Sequence, residues 1–288
     1  MRKLVSVGLR AIGLLSPRAG GWVAFRLWRR PMARGRVRGA EQAVHEAARV
    51  EIVDDVVTYA WGDGARPVLL VHGWRSRASR FAPFVERLLE LGYSPVSYDA
   101  PAHGDSGGEV ASILTHQAII RGLEERHGPF EAAVGHSLGV LFALYAVREG
   151  VAAKRLVMIS GVADFAYLAD TFCAALGLGP RINRELRRYI ERGYFGGDRD
   201  IWTRFSVGTG KTELLVIHND EDEIVDPRQA QILLRNYGPQ AHFLPTTGLG
   251  HRRILSDPAV MTEAIAFLQD ADQLQPETPH PERNQVPG

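Results

Sequence analysis

The chain has 288 residues, of which 45% are hydrophobic and 23% charged, and a formal net charge of +1. That length supports one large core, and a balance so close to neutral argues against nucleic acid as a partner. The single cysteine, Cys173, excludes an intramolecular disulfide framework and a cysteine zinc site, and points to a reducing, cytoplasmic setting.

In chain order, residues 1 to 49 read as a basic amphipathic segment, with ten Arg and Lys and no acidic residue among the first 38. The apolar stretch that follows Arg2-Lys3 is split by Arg10 and stopped by Pro17-Arg18, so it reads poorly as a signal peptide and is too interrupted to span a bilayer. Two expectations follow. Either an amphipathic helix packs on the core through Trp22, Phe25, Leu27 and Trp28, or residues 1 to 38 make a peripheral, interfacial contact with anionic lipid. From residue 50 short apolar runs alternate with helical patterns. The strands expected are 50–60, 68–72, 94–99, 130–135, 155–160, 213–218 and 241–244; the helices are 80–91, 111–126, 138–149, 226–236 and 257–270. This rhythm is that of an α/β domain with a doubly wound, mostly parallel sheet over residues 50 to 271. It breaks between 161 and 210, where two helical pieces, 165–176 and 184–192, flank Gly177-Leu178-Gly179-Pro180 and read as a cap over the carboxyl rim of the sheet. Residues 272 to 288, polar and punctuated by Pro276, Pro279, Pro281 and Pro287, read as a disordered tail.

The stretch with most chemical content is Gly135-His136-Ser137-Leu138-Gly139, placed where an expected strand gives way to an expected helix. A serine hydroxyl must stand clear of the backbone to reach a carbonyl, and a sharp strand-to-helix turn flanked by glycines allows that. Asp222 and His251 lie just past two later strands, in the order serine, acid, histidine, and carboxyl ends of parallel strands share one rim. The acid itself is open at this point. Asp220, Glu221, Asp222 and Glu223 are consecutive, and Asp226 follows.

Together with Leu70-Val71-His72-Gly73-Trp74, with Asp99-Ala100-Pro101-Ala102-His103-Gly104-Asp105-Ser106, and with Gly250-His251, these residues give the chain a resemblance to α/β-hydrolases of the esterase and lipase type over about residues 50 to 270. Ala102 departs from the glycine usual at its place. The resemblance implies Ser137 as nucleophile, His251 as base and Asp222, four positions after His218, as the acid that orients the imidazole, with Asp164 the alternative acid. The backbone amides of Leu138 and Trp74 would form an oxyanion hole, and no metal or cofactor is implied. Asp99 and Ser106 would brace their loop, and Arg75, Arg77 and Arg80 read as a solvated helix start rather than an anion site. The expected function is hydrolysis of a small-molecule carboxylic ester through an acyl-enzyme, with Phe165, Phe172 and Leu176 of the cap facing a hydrophobic acyl group. The alternatives are thioesterase, amidase or acyltransferase chemistry, or a hydrolase fold that binds ligands without turnover.

Overall fold

The computed structural model describes residues 2 to 273, so most of the tail read as disordered, residues 274 to 288, lies outside the described residues. Eight strands form one sheet: β1 (Arg49–Val53), β2 (Val56–Ala60), β3 (Pro67–Val71), β4 (Ser94–Tyr98), β5 (Phe130–His136), β6 (Ala153–Ile159), β7 (Glu213–Asn219) and β8 (Ala241–Thr246). Their order is β1-β2-β4-β3-β5-β6-β7-β8. The first two strands are antiparallel to their neighbours, and from β4 to β8 every pair is parallel.

The helices are α1 (Arg2–Leu15), α2 (Pro17–Trp28), α3 (Gln42–Glu46), α4 (Ala82–Glu90), α5 (Ile113–His127), α6 (Leu138–Arg148), α7 (Phe165–Leu176), α8 (Pro180–Phe195), α9 (Ile201–Arg204), α10 (Arg228–Tyr237), α11 (Gly250–Arg253) and α12 (Pro258–Gln273). Alternation along the strands divides the core in two. Val68, Leu70, Val134 and Ile217 turn toward α4 and α12, whereas Leu69, Val71, Ala133 and Val216 turn toward α5, α6 and α10. A parallel sheet covered on both faces needs such continuous apolar runs, and all four residues Val68 to Val71 are fully buried.

Three expectations about elements are corrected. Residues 50 to 60 are not one strand but a hairpin, because Asp54 and Asp55, with φ of 49° and 62°, form the two-residue turn that joins β1 to β2. Residues 80 and 81 belong to a short 3-10 turn that precedes α4. The last helix continues through Gln273, so residues 272 and 273 are helical rather than part of a tail.

The amino-terminal segment departs further from expectation, for it packs on the cap and not on the sheet. Ser16 ends α1 and caps α2, its Oγ accepting from the Ala19 N–H. Helix α2 then lies against α8 so closely that a Cβ on Gly21 would stand 2.3 Å from Glu185 Cβ. Phe25 fits between Tyr189 and Tyr194 at ring separations of 6.2 and 5.8 Å. The Trp28 indole N–H donates to the Leu168 carbonyl, and the Ser6 hydroxyl to that of Leu176. Helices α7 and α8 leave the sheet and need another partner for their apolar faces; the hairpin supplies it. Trp22, expected in the contact, is half exposed, and Val7, Leu14 and Leu15 are 65, 87 and 90% exposed. No helix of the described residues is long and apolar enough to cross a membrane.

Candidate active site

The turn from β5 to α6 forces Ser137 into a left-handed conformation, φ 59° and ψ −124°, costly for a residue with a side chain. Hydrogen bonds hold it there: the Ser137 N–H donates to Ile159 O at 3.0 Å, and its carbonyl accepts from Val140 and Val162 at 3.2 Å each. Gly139 permits the helix to start against the neighbouring strand, since a Cβ there would lie 2.1 Å from the Val71 carbonyl oxygen. On the other side, the loop after β3 closes over the serine until a Cβ on Gly73 would be 2.6 Å from Ser137 Cβ. His72 holds that loop in place. Its Nδ1–H donates to the Gly73 carbonyl at 2.8 Å while its Nε2 accepts from the Ala100 N–H at 3.0 Å, a neutral ring whose pKa burial lowers.

The sheet rim brings Ser137, His251 and Asp222 together. His251 Nε2 lies 3.0 Å from Ser137 Oγ, and His251 Nδ1 lies 2.8 Å from Asp222 Oδ2. Burial alone would raise the pKa of Asp222; the hydrogen bond from His251 and those from the Val225 and Ile224 amides outweigh it, and the group stays below the ordinary carboxylate range. An ionised carboxylate only accepts, so Nδ1 carries the proton and Nε2 is left to accept from the serine hydroxyl. Beneath the pair, the neutral His136 donates from Nε2 to the His251 carbonyl at 2.9 Å; burial, then electrostatic repulsion from the neighbouring imidazole whenever both rings would carry a proton, depress its pKa to about 3.

Asn219, fully buried at the end of β7, is the residue the sequence reading missed. Its Oδ1 accepts from the Glu221 and Gly250 amides and its Nδ2 donates to Thr246 Oγ1, so one amide ties the Asp222 loop to the His251 loop. A signal existed in its place directly after the strand-ending His218. Asp164 is elsewhere: it caps α7, accepting from the Ala166 amide and from Ser206. Asp226 faces Arg228, whose hydrogen bonds hold its pKa near about 2.

Asp99 accepts from the amides of Ala78 and Asp105 and from Tyr59, and Ser106 joins the Asp99 carbonyl to the Val57 amide. Two arginines read as solvated are not. Arg77 is buried against Asp99 and Asp105, and Arg80 pairs with Glu41, because the segment from Arg34 to Glu41 folds back beside them and takes a hydrogen bond from each.

A cavity of about 690 Å³ opens from Ser137 beneath the cap. Leu138 and Trp74 flank its catalytic end, and Phe165, Phe172, Leu168 and Phe195 form apolar wall. Leu176 does not line it. At the last turn of α7, that residue sits where α1 covers the helix. Trp28 and Arg29, from beyond the region of resemblance, do line it.

This fold, with a serine, an acid and a histidine in that chain order on the carboxyl rim of the sheet, defines an α/β-hydrolase. A model of the alpha/beta hydrolase family matches residues 68–264, and the chain belongs to that family. A stretch of 104 residues is 34% identical to a pimeloyl-[acyl-carrier protein] methyl ester esterase of Xanthomonas campestris pv. campestris; it covers 36% of this chain and 40% of that protein. The chain therefore matches less than half the length of that curated relative. Among solved structures, alpha/beta hydrolase domain-containing protein 10 from mouse is similar at a TM-score of 0.61 and 17% identity, over 79% of this chain and 99% of the other. A monoacylglycerol lipase of Paleococcus ferrophilus is similar at 0.57 and 20% identity, over 75% and 98%. At these identities the likeness is one of fold.

Proposed function

We propose that the protein is a serine hydrolase of carboxylic esters that works through an acyl-enzyme on Ser137. The observation that carries this reading is the unbroken relay from Ser137 Oγ through His251 to the ionised Asp222, opening into an apolar cavity. Ser137 Oγ attacks the ester carbonyl carbon as His251 Nε2 takes its proton, and the carbonyl oxygen gains the charge. The amides of Leu138 and Trp74 are the donors proposed to meet that oxyanion. Collapse expels the alkoxide with the proton from His251, freeing the alcohol. A water then gives its proton to His251 and attacks the acyl carbon, releasing the carboxylic acid and restoring Ser137. The esterase named among the relatives and the lipase among the structural neighbours agree with this chemistry. No step calls for a metal or organic cofactor.

A fluorophosphonate probe is expected to label the protein at Ser137, and Ser137→Ala to abolish labelling and hydrolysis of p-nitrophenyl octanoate together. Labelling at a different serine with hydrolysis intact would remove Ser137 from the role. A labelled enzyme that turns over thioesters or amides faster than esters would keep the mechanism and change the substrate class.

A further inference from the structure

Within a mainly apolar cavity, two charged side chains among the described residues form part of the wall, Glu223 and Arg29. They belong to different parts of the molecule: Glu223 follows the triad's Asp222 on the sheet rim, and Arg29 arrives from the end of α2, which packs on the cap. Arg30 next to it pairs with Glu109. Arg29 has no such answer. Its Nε is buried without a hydrogen-bond partner among the described residues, and its guanidinium stands 5.6 Å over the ring of Phe25. Tyr194, whose ring meets the same Phe25 at 5.8 Å, also lines the cavity and also has a buried, unpartnered hydroxyl. Burial raises the pKa of that hydroxyl although Arg29 and Arg30 pull it down, so it remains a donor.

Two donors set against one ring, one of them cationic and both left without a partner, are expensive for the fold and complementary to an anion. We infer that the cavity takes esters that carry an anionic group, carboxylate or phosphate, beyond an apolar chain, and that Arg29 and Tyr194 hold that group. The reading of Ser137 as the esterase nucleophile is assumed here. Glu223 adds direction: it repels an anion from the catalytic end and leaves the ester to face Ser137. Arg29 and Tyr194 thus act in specificity rather than in bond breaking, and the amino-terminal hairpin is part of the substrate site.

The test compares p-nitrophenyl hydrogen suberate with p-nitrophenyl octanoate, which share chain length and differ in the terminal carboxylate. The ratio of their kcat/KM values is expected to fall at least tenfold in Arg29→Gln and severalfold in Tyr194→Phe, with Arg29→Lys restoring part of it. An unchanged ratio in folded Arg29→Gln and Tyr194→Phe proteins overturns the inference; should Arg29→Gln not fold, Tyr194→Phe decides alone. A second measurement does not depend on turnover. Octyl phosphate and hydrogen suberate monoester are titrated calorimetrically into the Ser137→Ala protein, and both should lose at least tenfold in affinity when Arg29→Gln is added. The tighter of the two identifies the anion, and equal affinities with and without Arg29 reject the site. Persistent ester hydrolysis by Ser137→Ala would instead overturn the nucleophile while leaving this titration to judge the anion site.

Discussion

At the scale of single residues, the acid depends on both sequence spacing and tertiary structure. Five neighbouring carboxylates follow β7, and spacing from His218 favours one; in the fold the carboxylate of Asp222 faces His251, while Asp226 is occupied by Arg228 and Asp164 by the start of α7. An Asp222→Asn variant keeps the shape but offers Nδ1 a donor as readily as an acceptor, which misplaces the imidazole proton. Its kcat is expected to drop by about 10⁴, as for a mis-set tautomer in a serine triad, with Asp164→Asn within about tenfold of wild type. A steady-state comparison of the two variants on one ester decides it, and a crippled Asp164→Asn enzyme would move the acid to the loop after β6. Asn219 was not legible as a linker of loops, because its partners, Gly250 and Thr246, are about thirty residues away in the chain.

At the scale of elements, the helical hairpin α1–α2 matters most. Its inner face was legible as apolar, but which surface it covers depended on α7 and α8 having no sheet beneath them. The lipid contact proposed for residues 1 to 38 now has a defined surface: Val7, Leu14 and Leu15 point outward from a segment with ten cations and no acid. Each leucine buried at a lipid interface contributes about 1.5 to 3 kcal/mol, and the cations add attraction to anionic headgroups that salt screens over about 8 Å. The full chain is expected to co-sediment with phosphatidylcholine vesicles holding roughly one third phosphatidylglycerol, less so at high salt. Leu14→Glu with Leu15→Glu should abolish this while fluorophosphonate labelling persists. Binding that neither salt nor the double substitution weakens would leave the exposed face to a different partner.

At the scale of the whole molecule, five buried histidines, His72, His103, His116, His136 and His218, all have pKa values lowered chiefly by burial. Each stays neutral in the fold, whereas in the unfolded chain it takes a proton below about pH 6.5. The unfolded state therefore binds more protons, and stability falls as pH drops from about 6.5 toward the folded values, which are about 4 for His103 and about 3 for His136. At pH 5 each of those two costs about 2 kcal/mol against a typical total of about 5 to 15. Asp222 acts in the same direction but lower, because its depressed pKa withdraws stability only as pH falls below about 3.9. Thermal melting from pH 7 to 4 should show a marked loss of Tm, and His103→Asn should flatten that slope whatever it does to stability at pH 7. An unchanged slope would mean that His103 does not stay neutral in the fold.

The sequence by itself determined the fold class, because short apolar runs at strand spacing, alternating with amphipathic helices, leave a parallel sheet between two helical layers as the arrangement that buries them all. It also marked Ser137, Asp222 and His251 as candidates, since each motif is a local matter of turn geometry at a strand end. What the tertiary structure alone decided was every contact whose partners lie far apart in the chain. Residues 2 to 28 join the cap through Gly21 and Phe25, Arg77 is sealed against Asp99, and Arg29 reaches a cavity whose floor is more than a hundred residues away in sequence. Periodicity tells which face of a helix is apolar, but the surface that face meets is chosen only when the other elements have taken their places.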